Sequence, residues 1–465
     1  MKRFFAFSIL MISTLAVNAQ NDTLFTRTEL YHPGDYGSAN YRIPAVITAK
    51  DGSVVAVTDK RKYNEGDLPQ DIDIVCNRST DGGRTWSEPY TIAQGTGINH
   101  GFGDCALAWS NDENGLVAVF VGGPGLWSST PSNPIRSYKS YSYDNGQTWT
   151  EPEDITHFIF GDNCVIPEHQ TWQASFFGSG NGLLTSSGRI MFVAAIREGA
   201  AQSLNNYAVY SDDNGLTWQV SGRASTNGDE AKVTELVDGR ILMSIRHSGK
   251  RRYNISEDGG KTWQPTTSTW NDITAPACNG DVIRYTSVSQ GHNKNRLLHS
   301  VPKGTQRKDV TVYVSYDEGL TWPVSKTIVP YNSAYSSLCV LPDGTIGLYV
   351  EEDPSGVSGY STVFYNFSIE WLTNGDDTYG FDGISENNPD NALKIYPVLA
   401  SSFIMIEADN IRKIRIFDAQ GRLVKKKSVS TSSKVQINVA DFPSGVYLVE
   451  TKDVKGHKKH GRFVK

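Results

Sequence analysis

An eight-residue pattern, Ser-x-Asp-x-Gly-x-Thr-Trp, occurs five times in this chain and constrains its fold more than any other feature. The copies are STDGGRTW from Ser79, SYDNGQTW from Ser142, SDDNGLTW from Ser211, SEDGGKTW from Ser256 and SYDEGLTW from Ser315. Each follows an extended β-branched or apolar run, such as DIDIVCNR or DVTVYV. The chemistry is that of a turn. The aspartate (Asp81, Asp144, Asp213, Asp258, Asp317) can accept backbone N–H bonds across it, glycine takes a positive φ, and tryptophan buries a large ring beneath. A calcium loop needs denser oxygen ligands and a closing glutamate, which these copies lack. Half of the 10 tryptophans sit in the copies, so the pattern also places much of the core.

A second repeat interleaves with the first. YRIPAVITAKDGSVVAVTDKR (41–61), EAKVTELVDGRILMSIR (230–246) and YSSLCVLPDGTIGLYVEE (335–352) are strand–turn–strand units. Looser relatives begin near Asp104, Gly180 and Asn279. Six hairpins, five of them followed by a box roughly every 60 residues, are the signature of a radial array. The expected fold is all-β: a six-bladed β-propeller with a small C-terminal β-sandwich. Segment 23–31 is expected to supply an outer strand that closes the ring.

Composition divides the 465 residues further. Residues 1–19 set Lys2-Arg3 before an apolar run ending Val17-Asn18-Ala19, which reads as a secretory signal peptide. That run is shorter than the about 20 apolar residues a membrane span needs, and no later segment qualifies. The propeller is expected over 20–375, a polar Gly- and Asp-rich linker over 376–391, and the second β-domain over 392–465. Cys76, Cys105, Cys164, Cys278 and Cys339 are odd in number and scattered, unlike a disulfide framework. Neither cysteines nor histidines show metal-ligand spacing. A net charge of −6 offers no nucleic-acid footprint.

The hairpin geometry gathers chemistry on one rim. Arg307 precedes Ser315 by eight residues, roughly 26 Å of strand at about 3.3 Å per residue, so it lies far from its box. Arg42 and Arg61 sit at the two ends of a hairpin whose turn is Asp51-Gly52. Arg246 ends a strand, while Glu230, Asp104 and Tyr335 begin strands. Three arginines converging from three blades repel one another unless an anion lies between them, and guanidinium forks suit a carboxylate. A carboxylate on the reacting carbon would repel an anionic nucleophile. A neutral phenol avoids this if a base takes its proton. Tyr335 is then the candidate nucleophile, Glu230 its base, and Asp67 the acid that protonates a leaving oxygen and later activates water.

With Arg-Ile-Pro at 42–44, the boxes and the Tyr–Glu pair, residues 25–372 resemble the bacterial exo-α-sialidases. The resemblance implies a carboxylate-binding triad of Arg42, Arg246 and Arg307, a further arginine near the sugar at Arg61, and a sugar-contacting Asp104. It also implies Asp67 as acid/base, Tyr335 as nucleophile with Glu230, retention of anomeric configuration, and neither metal nor organic cofactor. Asp71 and Asp73 share the loop of Asp67; the spacing from Arg61 favours Asp67. Glu235 falls late in its strand, away from the rim. The implied substrates are sialylated glycans. An intramolecular trans-sialidase or a non-catalytic sialoglycan lectin would share much of this pattern. Residues 392–465, with KIYPVL, IRIFDAQGRLV and SGVYLVETKD, resemble the sorting domain of the type IX secretion system, although the usual Lys-Ile-Tyr-Pro-Asn-Pro start is altered. That implies export to the cell surface or medium through secretion machinery that recognises this domain. A small carbohydrate-binding or fibronectin-like module is the alternative.

Overall fold

A computed structural model describes residues 25–380, apart from 202 and 358, and residues 393–465, apart from 397–399, 401, 419–421 and 444. The expected signal peptide and most of the expected linker lie outside the described residues.

The first region is built of antiparallel meanders. Strands Asn40–Thr48, Val54–Arg61, Ile72–Ser79 and Tyr90–Ala93 form the first sheet in chain order. Phe102–Trp109, Leu116–Gly122, Arg136–Ser142 and Glu153–Asp154 form the second, with Gly180–Asn181 added in parallel to its inner edge. Two further sheets centre on Ile190–Arg197 and Ile241–Ile245. The expectation of six separate blades is not how the hydrogen bonds run. The last region is one seven-stranded sheet in which the 17-residue strand Val324–Val340 pairs first with Lys308–Ser315 and then with Ile346–Asp353. A single strand thus serves two meanders. Phe25–Tyr31 pairs antiparallel with Ser361–Phe367, the outer closing strand expected from the sequence. Central strands such as Val54–Arg61 are buried on both faces, because each sheet is covered by a neighbour on either side.

The boxes act as inter-sheet staples. In each, the serine hydroxyl accepts from the glycine amide, and the aspartate accepts from the threonine amide and hydroxyl. In the first copy these distances are 2.9, 2.9 and 2.7 Å. The turn carbonyl then accepts from the preceding meander: Arg78 Nε donates to Asn145 O, Lys139 Nζ to Gly215 O, Arg189 Nη1 to Gly259 O and Trp270 Nε1 to Gly319 O. Asn366 Nδ2 donates to Gly82 O and so joins the last meander to the first. Gly83 (φ 87°) approaches Phe364 so closely that a Cβ would stand 2.2 Å from the ring, which is why the pattern requires glycine there. Burial opposes ionisation of Asp258, but hydrogen bonds from Thr262 and Ser256 outweigh it and pull the carboxyl down to about 2.

The C-terminal region is a separate β-domain. Where two sheets of a sandwich were expected, the pairing joins all five strands in one. The long strands Phe403–Phe417 and Leu423–Asn438 slip register between Glu407 and Ile411, with Asn410 at φ 52°. The sheet encloses Ile404, Ile406, Ile414, Ile416, Val449 and Phe463.

The propeller reaches beyond residue 375. Asp377 is buried, and accepts from Arg296 Nε and Nη2 (both 2.7 Å), Lys294 Nζ (2.8 Å) and Tyr316 OH (2.9 Å). Arg296 itself is fully buried. We place the end of the domain at 380, because a cut after 375 strands this cation. A chain ending at 380 should exceed one ending at 375 by about 3–5 kcal/mol in urea denaturation, the cost of breaking a buried pair. Burial raises the Asp377 carboxyl, but the bonds from Arg296 and Lys294 prevail and hold it at about 2. The advantage should therefore be complete above the unfolded carboxyl value of about 3.9 and be lost as pH falls toward 2.

Candidate active site

Boxes and site residues lie at opposite ends of the strands. Val54 pairs with Ser79 at the box end, while Arg61 pairs with Ile72 and Asn40 at the other. At that second end the ladders break. Register slips between Arg42 and Ala45, Gly103 and Ala106, Lys308 and Val310, and Ser333 and Ser336. Ile43 (φ 66°), Asp104 (φ 57°) and Asp309 (φ 57°) are left-handed there, a costly backbone for non-glycine residues. Bulges re-aim side chains that a strict two-residue period would send to alternate faces. They turn Arg42, Asp104, Arg307 and Tyr335 toward one region.

The guanidinium carbons of Arg307, Arg42 and Arg246 lie 5.5, 5.8 and 6.0 Å from the centroid of the Tyr335 ring. Each arginine is held differently. Arg42 donates from Nε and Nη2 to the two oxygens of Glu351 (2.7 and 3.1 Å). The same carboxylate accepts the Ile43 amide (2.8 Å) and the Tyr335 amide (3.2 Å), so one buried group ties Arg42, the strained residue after it and Tyr335 together. Arg246 Nη1 donates both to Glu230 and to the Tyr335 hydroxyl (2.8 Å), and its Nε faces Asp229 (3.1 Å). Arg307 has a neutral partner, the Ala277 carbonyl (3.2 Å).

Tyr335 is 7% and Glu230 2% exposed. Burial, followed by the neighbouring Glu230 charge, pushes the Tyr335 phenol well up, against the pull of Arg246 and Arg307. The phenol is therefore neutral at rest. The expected Tyr335–Glu230 pairing runs through a shared Arg246 nitrogen.

Arg61, Asp67 and Asp104 form an adjoining group. Arg61 Nη2 donates to Asp67 Oδ1 (2.6 Å), and Nη1 to the Glu65 carbonyl. The Asp67 side chain is 81% exposed. Asp71 and Asp73 are buried and both engaged by Lys62 Nζ, at 2.8 and 2.9 Å. Asp73 lies within strand Ile72–Ser79 rather than in the loop, and of the three aspartates Asp67 is the one presented to solvent. Burial and the charges of Asp59, Asp67 and Glu230 push the Asp104 carboxyl well up. Glu235 accepts from the Ser186 amide and hydroxyl far along its strand, and lines a cavity of about 450 Å³ together with Trp109, Arg284 and Tyr285. Among the described residues no group of three His, Cys, Asp or Glu could hold a metal ion, and no helix is long and apolar enough to cross a membrane.

Sequence reasoning did not single out Glu351, Asp229 or Asp59. Glu351 carried a signal: Glu351-Glu352-Asp353 ends an otherwise apolar strand at the rim, where a buried carboxylate requires a cation.

Comparison with known proteins fixes the family. Residues 63–348 match the BNR repeat-like domain. The chain belongs to this family. Residues 394–465 match the secretion system C-terminal sorting domain. A sialidase of Micromonospora viridifaciens is 33% identical over 371 residues, covering 76% of this chain and 55% of that protein. One of Bacteroides fragilis is 29% identical over 342 residues, covering 69% and 61%. The chain therefore spans somewhat over half the length of these relatives. The solved structure of the Hadza microbial sialidase Hz136 is similar with a TM-score of 0.66 at 26% identity, over 74% of this chain and 69% of that one.

Glu351→Ala should remove the counter-ion of Arg42 and the acceptor of two amides together. We expect a loss of about 3–5 kcal/mol in urea denaturation, and a smaller loss for Glu351→Gln, which keeps one acceptor oxygen. Equal stability of wild type and Glu351→Ala would show that Arg42 finds another partner.

Proposed function

We propose that this protein is a retaining exo-α-sialidase that removes terminal α-linked sialic acids from glycoproteins, glycolipids and oligosaccharides. The observation that carries the reading is the cage of three guanidinium groups around Tyr335, with Glu230 on the same Arg246 nitrogen. The names of the relatives agree with it.

The reaction follows from the charges. A sialic acid carries its carboxylate on the anomeric carbon, so Arg42, Arg246 and Arg307 fix the reacting carbon when they bind that group. The Tyr335 ring lies among them, with its hydroxyl on Arg246, and the phenol oxygen attacks as Glu230 takes its proton. Only a neutral nucleophile approaches without repulsion from the substrate carboxylate. Apo hydrogen bonds of this kind tighten and re-pair in the substrate complex, and the shared Arg246 nitrogen is the group that must yield. Asp67, exposed at the rim, gives its proton to the departing glycosidic oxygen. It then takes one from a water that attacks the anomeric carbon and displaces the Tyr335 oxygen, which recovers its proton from Glu230, and sialic acid leaves with retained configuration. No cofactor is required in this scheme. Arg61 and Asp104 stand beside Asp67, where the sugar's own substituents would bind.

The deciding experiment is turnover of sialyllactose with product identification by NMR. Free sialic acid supports hydrolysis. A 2,7-anhydro product would indicate intramolecular transfer, and binding without turnover would indicate a lectin. We further propose that residues 392–465 route the enzyme outside the outer membrane. Deleting them in the native host should leave activity in the periplasm, and normal surface activity would contradict this.

Asp67→Ala should cost about 10²–10⁴-fold in kcat on sialyllactose, whose leaving alcohol needs a proton. An aryl sialoside, with a far better leaving group, should lose much less. Asp71→Ala should show no such selectivity. Equal losses on the two substrates for Asp67→Ala would remove it from the acid role.

A further inference from the structure

Arg251, on strand Gly249–Ser256, is fully buried. Arg296, equally buried, meets Asp377 at 2.7 Å. Arg251 has no such partner among the described residues. Its Nη1 donates to the Cys278 carbonyl (2.8 Å) and its Nε to the Ser244 hydroxyl (3.1 Å), while Nη2 has no hydrogen-bond partner. The Ser244 hydroxyl also meets His299 Nε2 (2.8 Å). Burial, then the charges of Arg251 and Lys232, pull that imidazole well down, so it is neutral. Burial also pulls the Arg251 guanidinium down, to about 10, which leaves it charged at neutral pH. A buried cation with neutral partners alone costs stability. Its two acceptors, a carbonyl and a hydroxyl, would be served as well by a neutral donor.

The segment that Arg251 holds belongs to the site. Ala277, one residue before Cys278, gives its carbonyl to Arg307 (3.2 Å). Cys278 packs with Tyr335, Ile43 and Ala334. Asn279, one residue after, accepts from the buried Lys232 Nζ (2.8 Å) and donates to the Ser179 carbonyl and hydroxyl (both 2.9 Å). Arg251 thus pins the backbone on which one of the three arginines rests and against which the phenol packs. The charges facing it are those of Arg246, Glu230 and Asp229, with Lys232 from the adjoining strand.

We infer that Arg251 is a fourth arginine for the substrate carboxylate: a positioning residue behind Arg42, Arg246 and Arg307 that fixes the Ala277–Cys278 backbone and lends its uncompensated charge to the hold on the anion. The inference rests on the sialidase reading of the site. The cation is kept at a cost to the fold because the anion it serves arrives with the substrate.

The test compares wild type with Arg251→Gln and Arg251→Lys, each first shown to be folded by circular dichroism. Glutamine keeps a hydrogen-bond donor and removes the charge; lysine keeps the charge. The probes are the 2,3-dehydro analogue of sialic acid and the same compound with its carboxylate replaced by a primary amide. Arg251→Gln should bind the carboxylate analogue about tenfold more weakly, what a unit charge roughly 10 Å away exerts at an effective dielectric near 20. Its affinity for the amide should stay within about twofold of wild type, and Arg251→Lys should keep the carboxylate affinity within about threefold. The KM for sialyllactose should rise with the loss in Arg251→Gln and kcat change little, because the carboxylate is held in ground and transition states alike. A readout that needs no stable variant is the Arg251 Nε–H signal of ¹⁵N-arginine-labelled wild type, which should shift as the carboxylate analogue saturates the site. Unchanged affinity for that analogue in folded Arg251→Gln, an equal loss for the amide, or a signal that does not move would overturn the assignment. A wild type that neither binds the analogue nor turns over sialyllactose would instead overturn the sialidase reading.

Discussion

Three guanidinium groups within about 6 Å of one phenol ring repel one another, and much of the molecule's construction answers that repulsion. At an effective dielectric near 20, two unit charges several ångströms apart cost about 2 kcal/mol. The compensation is uneven. Glu351 neutralises Arg42, and Glu230 with Asp229 neutralises Arg246, but Arg307 has a neutral carbonyl. One cation is left open toward the site. In the proposed reading, that incomplete neutralisation is what an incoming carboxylate would complete. The arginines can be held in this arrangement only on a rigid frame.

The frame is made at the other end of the same strands. Each box folds on its own serine, aspartate and threonine, then offers its turn carbonyl to a side chain of the preceding meander. The staples hold one end of the sheets, and at the other, the rim, the ladders slip around Ile43, Asp104, Asp309 and Ser333. At the rim, Glu351 accepts the amide of Ile43, the left-handed residue of the Arg-Ile-Pro triplet. The last two meanders share Val324–Val340, so Tyr335 stands within a strand common to both.

The meanders, the closing strand near residue 25 and the second β-domain were legible because hairpin turns and buried strands leave local patterns. The arginines, Tyr335 and Glu230 were legible because strand direction alone sends them to one rim. Glu351 and Asp59 were not, since a carboxylate at a strand end reads as an ordinary surface charge until its cation is seen. The bulges were hidden as well: nothing in Arg42-Ile43-Pro44 or Gly103-Asp104-Cys105 announces a slipped register. The shared strand escaped because the hairpin pattern begins at Tyr335, whereas the strand Val324–Val340 runs through that point with a bulge between Ser333 and Ser336. The reach of the propeller to Asp377 was missed because a polar, glycine-rich segment looks like a linker whether or not one of its aspartates meets a buried arginine.

The central claim is that a neutral tyrosine held among arginines becomes the covalent carrier of the sugar. A sialic acid bearing fluorine at C2 and C3 tests it directly: the C2 fluoride leaves readily, and the C3 fluorine slows both steps by destabilising the oxocarbenium-like transition states, so that the intermediate accumulates. Mass spectrometry of the digested protein should find the sugar on the peptide that contains Tyr335, and should find none in Tyr335→Phe. An adduct on Glu230 or Asp67 would contradict the account, as would full turnover of sialyllactose by Tyr335→Phe.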